Sequence, residues 1–274
     1  MLRPGCPHVR RSKLTRSLFT LLSLCLAPAA APAAPALAPE VAEVRGCAER
    51  NLPRRSVRQQ LVLERSVAGA EARRLEATLL WKRDEGELSR LRVTVDAPQQ
   101  ERGTAFLLLE REGEDDMFSY LPEYKKVRRI TSRAVTGSFL GTDLSYEDFQ
   151  QLQGLSDDAR IARLPDSSID GRPVYVLEGT PAAGHGSAYE RVRSYFDRET
   201  CVLLRAELTG KDVEREVEVA WADVERVGER WIPKRLTLYD RKKRSETRLS
   251  IRETEWDIEL PDRLFTETEL AKGH

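Results

Sequence analysis

Few side chains in this sequence are of the kinds that perform catalysis, and their spacing narrows the chemistry further. Histidine occurs three times, at His8, His185 and His274, which leaves a histidine-rich metal site or a histidine-dependent triad almost without support. Two of the four cysteines, Cys6 and Cys25, lie near the start. The other two, Cys47 and Cys201, are far apart, and no Cys-x-x-Cys spacing points to zinc or thioredoxin-type chemistry. No Gly-x-Ser-x-Gly, His-Glu-x-x-His or glycine-rich phosphate loop is present. A hydrolase using two carboxylates is permitted only by the abundance of Asp and Glu, since no spacing marks a pair. The sequence therefore predicts a protein that is not an enzyme and uses no cofactor or metal.

What remains is a chemistry of binding. Trp81, Phe106, Phe118, Tyr120, Phe139 and Leu140 are the aromatic and large aliphatic side chains that could line an acyl-chain cavity; the plainer reading of each is ordinary core. The run Lys125-Lys126-Val127-Arg128-Arg129 offers Lys126, Arg128 and Arg129 to a lipid headgroup phosphate or an acidic partner. It equally suits a solvated edge strand that blocks sheet-to-sheet aggregation. On a strand, Lys126 and Arg128 share one face and Arg129 takes the other, so one Arg could point inward and need a carboxylate. Asp143, Glu147 and Asp148 are the nearest, and such a pair would form a latch that ligand entry breaks. Gly137 and Gly141 flank Ser138-Phe139-Leu140, which reads as a mobile lid or as a tight structural loop. Ser145 is a helix cap and not a nucleophile.

These residues must be held by strands. Segments of about eight to twelve residues with period-two alternation follow one another, divided by Gly, Pro, Asp and Asn. Leu75, Ala77, Leu79 and Trp81 alternate with charged or polar neighbours, and Val213, Val217, Val219 and Trp221 face away from Glu214, Glu216 and Glu218. About eleven strands are expected, too regularly spaced for βαβ crossovers. Helices are expected at Glu40 to Pro53, after Ser145 over Tyr146 to Leu152, and near Arg263 to Leu270. The predicted fold is mainly β: one curled antiparallel sheet, an incomplete barrel, with a few short helices covering its concave face. Its single apolar face requires a cover, and an apolar cavity under short helices answers that need.

Composition agrees. Of 274 residues 40% are hydrophobic, enough for a core, and the 45 basic and 45 acidic residues balance, so no global field draws in nucleic acid. Residues 1–38 have the parts of a secretory signal: a basic stretch to Arg16, an apolar run from Leu18 to Ala27, and small-residue sites such as Ala31-Pro32-Ala33. Cleavage is expected, leaving one mildly acidic domain over 39–274 in the periplasm; an uncleaved anchor is opposed by Pro28, Pro32, Pro35 and Pro39. In an oxidising compartment Cys47 and Cys201 could join in one disulfide, or both could lie in the core as small apolar side chains.

The stretch Met117-Phe118-Ser119-Tyr120-Leu121-Pro122 to Lys126-Val127-Arg128-Arg129-Ile130, then Gly137-Ser138-Phe139-Leu140-Gly141-Thr142-Asp143-Leu144-Ser145-Tyr146-Glu147-Asp148, follows Arg102-Gly103-Thr104-Ala105-Phe106-Leu107. In order and spacing it closely resembles the LolA-like family of outer-membrane lipoprotein-sorting proteins, over essentially all of 39–274. The resemblance implies an incomplete antiparallel barrel with helices over its mouth, and an activity of carrying lipid or lipoprotein acyl chains across the periplasm without chemistry. It also implies work beside an inner-membrane transporter of the RND type. The alternative in another class is a non-catalytic accessory scaffold docked to such an exporter complex, separated from a carrier by whether the concave face is open or filled.

Overall fold

The structure is a computed structural model that describes residues 39–83, 88–111, 115–131, 134–152, 159–181 and 186–273. The secretory leader expected over 1–38 lies outside the described residues, as do His185 and His274.

Fifteen strands are found among the described residues: β1 (Ser56–Val67), β2 (Arg73–Lys82), β3 (Arg90–Ala97), β4 (Ala105–Leu109), β5 (Asp116–Leu121), β6 (Lys126–Ile130), β7 (Ala159–Ile169), β8 (Arg172–Pro181), β9 (Arg191–Asp197), β10 (Leu203–Thr209), β11 (Glu214–Glu218), β12 (Val224–Val227), β13 (Arg230–Pro233), β14 (Arg235–Asp240) and β15 (Ser245–Trp256). Thirteen form one antiparallel sheet in the order β6-β5-β4-β3-β2-β1-β15-β14-β11-β10-β9-β8-β7, and β12 and β13 form a separate hairpin. Most neighbours are consecutive in sequence, so hairpins suffice to build each half. The halves meet where β1 pairs with β15, with Leu63 opposite Leu249 and Leu61 opposite Ile251. The sheet does not close, and β6 and β7 are its edges.

The expected incomplete barrel is the observed one, with more strands than the eleven foreseen. The alternation read from Val213 to Trp221 gives β11 and ends in a 3-10 turn at Trp221–Asp223, after which β12 begins. Pro233 ends β13 before β14 begins. Strand β7 carries no clear alternation in the sequence because Pro165 interrupts it; its register shifts between Leu164 and Ser167, and it lies at an edge, where a missing N–H is tolerated.

Among the described residues three α-helices accompany the sheet: α1 (Pro39–Glu49), α2 (Tyr146–Leu152) and α3 (Glu267–Leu270). Helix α1 buries Val41 and Val44 against Leu177, Tyr175 and Phe196 of β8 and β9, on the inner face. Helix α2 starts as the capping signal foretold: Ser145 Oγ accepts from the Asp148 N–H at 3.1 Å, and the Asp148 carboxylate accepts from the Ser145 N–H at 2.6 Å. Its Phe149 enters the main core among Leu79, Phe106 and Leu208.

Helix α3 corrects the expectation that the helices cover the concave face. With the preceding residues it lies on the outer face of β3 to β5, burying Leu260, Phe265 and Leu270 against Leu107, Phe118 and Tyr120. The reason is visible in β4 and β5: Ala105, Phe106, Leu107 and Leu108 are all buried, so this corner of the sheet is apolar on both sides and needs two covers. Arg92 Nη1 donates to the Leu264 carbonyl at 3.3 Å, and Lys82 Nζ donates to the Leu260 carbonyl at 3.2 Å. A Cβ on Gly103, which has φ +86°, would come within 2.7 Å of the Gly273 carbonyl oxygen, so glycine is required where the C-terminal segment crosses.

Candidate functional site

The inner face is filled at one end and hollow at the other. A cavity of about 330 Å³ lies among strands that are distant in the sheet order, with Leu79 on β2, Leu208 on β10, Val217 on β11 and Leu249 on β15 all on its wall. That volume is at the lower end of the range of about 300–1,000 Å³ of small-molecule sites. The wall is mostly apolar, and Phe196, Leu203, Leu236, Ile251 and Trp256 on it are only half-buried, so apolar surface reaches the opening. The end of α1 and the residues after it roof the opening through Ala48, Asn51, Leu52 and Pro53.

The roof is fastened. Cys47 on α1 and Cys201 before β10 are joined in a disulfide with a Cα–Cα distance of 5.7 Å. Asn51 Nδ2 donates to the Thr200 carbonyl at 2.7 Å, while Asn51 Oδ1 accepts from the Trp231 N–H at 3.0 Å, tying roof, β9–β10 turn and β12–β13 hairpin together.

The six residues singled out as acyl-chain contacts stand apart from this cavity. Phe106 and Phe139 are packed with Tyr146 and Phe149 in an aromatic cluster, with Phe139 and Phe149 stacked at 4.3 Å and Phe106 edge-on to Phe139 at 5.3 Å. Trp81 is buried at the end of β2 beneath the Arg83 guanidinium. Phe118 and Tyr120 point to the other face of the sheet, under the C-terminal segment, because β5 alternates and Met117 takes the inner position. Leu140 is half-buried with φ 49°, and its carbonyl accepts from Arg73 Nη1 at 2.8 Å. A Cβ on Gly141 would meet that same guanidinium at 2.8 Å, and Phe139 N–H donates to the Leu144 carbonyl at 2.7 Å. The 137–141 segment is a tight structural loop here, closing the filled end.

The three carboxylates proposed as a latch are at that end, with other partners than foreseen, and Asp148 sits on its border, where it also lines the cavity. Asp143 accepts from Arg65 Nε at 2.9 Å, Ser245 Oγ at 2.8 Å and Thr247 Oγ1 at 3.0 Å. Asp148 is bonded to the Tyr189 hydroxyl and paired with Arg215, which also approaches Asp240 at 3.5 Å. Glu147 accepts from the Ser187 hydroxyl and from the Ala188 N–H at 3.0 Å. Burial pushes the Glu147 carboxyl above the ordinary range, and burial followed by the Asp148 charge pushes the Tyr189 hydroxyl up. For Arg215 burial acts downward and is outweighed by Asp148, Tyr189 and Asp240, so its guanidinium is held more firmly charged.

The basic run supplies none of these partners. It forms the edge strand β6, where Lys126, Arg128 and Arg129 are exposed; Arg129 Nη2 pairs with Asp116 at 2.6 Å on the outer side, and the Arg128 guanidinium lies 5.1 Å over the Tyr124 ring. The edge-protecting reading of the run fits this placement. Among the described residues no group of three or more His, Cys, Asp or Glu is arranged to hold a metal, and no helix is long and apolar enough to cross a membrane.

A family profile described as "Uncharacterized protein" matches residues 88–272, from before β3 to the C-terminal segment. The chain belongs to the LolA-like family. Solved structures share its fold. A DUF1329 family protein from Desulfovibrio piger superposes with a TM-score of 0.76 at 23% identity, covering 83% of this chain and 96% of that one. A domain assigned to outer-membrane lipoprotein sorting from Vibrio parahaemolyticus gives 0.74 at 22%, covering 84% and 97%. A LolA superfamily protein from Nitrosomonas europaea gives 0.65 at 19%, covering 83% and 97%. No protein of curated function matches the sequence.

Within this LolA-like chain the sequence signature thus marks mainly the filled end; it reaches the cavity wall at Asp148, with Phe149 next to it, and most of the wall is built from other strands. Its wall residues Leu61, Leu79, Val217 and Val219 are ordinary members of the alternating apolar phase, so periodicity gave their face without marking them as a site. Arg215 did carry a signal. It occupies an apolar-phase position between Val213 and Val217, and a charge there must be buried with carboxylates.

Proposed function

We propose that this LolA-like protein is a periplasmic carrier that shelters the apolar part of a lipid or of a lipoprotein's acyl chains in the cavity beneath α1, and that it does so without chemistry. The observation that carries the reading is the half-open apolar cavity itself. An unfilled apolar hollow under a fastened roof costs stability unless something occupies it. The fold shared with a lipoprotein-sorting domain supports the same reading, as does the secretory pattern of residues 1–38. Exchange of the cargo with an inner-membrane transporter, RND-type by the family resemblance, belongs to the proposal.

Native mass spectrometry of the exported chain, repeated after organic extraction, tests it. The expected result is a lipid-like ligand in stoichiometric amount. Ala206→Phe should remove that ligand while costing under about 1 kcal/mol of stability, because the new ring grows into empty volume beside Leu208 and Val217. A ligand-free protein that also ignores apolar fluorescent probes would overturn the carrier and favour the accessory scaffold.

A further inference from the structure

Beside the cavity lies a second, polar hollow of about 340 Å³. Asn51 and Trp231 line both, and the Cys47–Cys201 bridge runs from one to the other, with Cys47 on the polar side and Cys201 on the apolar side. Three arginines from three different segments meet in the polar hollow: Arg50 after α1, Arg54 before β1 and Arg230 on β13. Two carboxylates are also there, Glu199 and Glu229, and Glu199 reaches out to Arg172 at 3.7 Å.

These arginines differ from those of the sheet. On the strands Arg193 pairs with Glu178 at 2.7 Å and Arg205 with Glu218 at 3.2 Å. Among the described residues Arg50, Arg54 and Arg230 form no ion pair; Arg50 donates to the Gly46 carbonyl at 3.3 Å, and Arg230 lies with its guanidinium 4.9 Å over the Trp256 ring. Trp256 belongs to the apolar cavity wall, so this stacking sets a cation at the border of the two hollows. A guanidinium stacked on an aromatic face keeps its in-plane N–H groups for an anion.

We propose that the polar hollow is a phosphate-headgroup site, and that the cargo is an anionic glycerophospholipid whose tails enter the cavity while Arg50, Arg54 and Arg230 hold its phosphate. The inference rests on the carrier reading and names its substrate class. A tail site and a cation-rich head site that share two residues fit an amphiphile, and charge-assisted forks from several directions suit a tetrahedral anion. A neutral acylated peptide offers these arginines no counter-charge.

The test compares two probes with identical fluorescent tails, a phosphatidic acid and a diacylglycerol, binding to the full chain below their aggregation concentrations. Wild type should bind the phosphatidic acid at least about tenfold more tightly, as expected for charge-assisted hydrogen bonds. The Arg54→Gln/Arg230→Gln double variant should lose that preference and keep its affinity for diacylglycerol. Adding Arg50→Gln to Arg54→Gln gives a second variant that leaves the Trp256 stack intact and should behave alike. Equal binding of both probes by wild type, or a preference retained in both variants, overturns the headgroup site and leaves the carrier standing. Inorganic phosphate alone, titrated into wild type and bound more tightly than the phosphatidic acid, assigns the hollow to free phosphate and overturns the lipid headgroup. Failure of both probes to bind overturns the carrier with it.

Discussion

The two ends of the inner face are made from the same kind of strand and differ in what covers them. At one end residues 134–149 return over β2 to β5 and supply Phe139, Leu144, Tyr146 and Phe149, side chains large enough to fill the space, together with carboxylates matched by Arg65 and Arg215. At the other, α1 offers only its last turn and the small or short side chains after it, so the roof bridges the space and leaves it empty. Alternation decides which face is apolar; the bulk of the covering segment decides whether that face becomes core or cavity.

The sharpest break of this contrast is Phe139→Ala. It removes a fully buried ring stacked on Phe149, and should cost about 3–5 kcal/mol in chemical denaturation. Lipid-probe binding by the remaining folded protein should be unchanged. Coupled loss of both would mean that the ends are one cooperative site. Next in size is the roof. Cys47→Ser/Cys201→Ser opens a link between residues 154 apart in sequence and should cost about 2–4 kcal/mol. Hydrogen exchange should then rise over 39–49, while the amides of 138–149 keep their protection. A uniform rise across both ends would contradict the division drawn here.

Much of this was legible in advance, and the failures are physical. Antiparallel alternation and the Ser145 cap could be read because each depends on neighbours in sequence. The aromatic candidates pointed to the wrong end because bulk is what fills a core: Phe106 and Phe139 are large, and so they pack on each other. The cavity depends on an encounter between β2 and β10 across the curled sheet, which no local pattern contains. The latch carboxylates stand out by position, yet their partners Arg65 and Arg215 lie far away in sequence, while the basic run is adjacent. Arg215 was the missed clue, a cation in an apolar phase.

The smallest expected effect tests the filled end by pH, through two carboxyls moved in opposite directions. Burial acts to raise Asp240 but is outweighed by the Lys243 N–H and ammonium and by Arg215, so its folded pKa lies below the ordinary 3.8. Its contribution is fully present above 3.8 and is lost only as pH falls through that lower folded value. Glu147 is raised above its ordinary 4.5 by burial, so its ionised form is the less favourable one in the folded chain. Stability from Glu147 is therefore greatest below 4.5 and declines as pH rises through the folded value. Glu147→Gln offers one acceptor and one donor, as the protonated carboxyl does, and so starts level with wild type in acid; the second acceptor that the carboxylate gives to Ser187 Oγ and the Ala188 N–H returns only as Glu147 ionises. The variant carries no charge to bury, and should gain on wild type by about 2–4 °C or less in melting temperature between acid and neutral pH. A difference that stays constant across that range would mean that the Glu147 charge is already compensated.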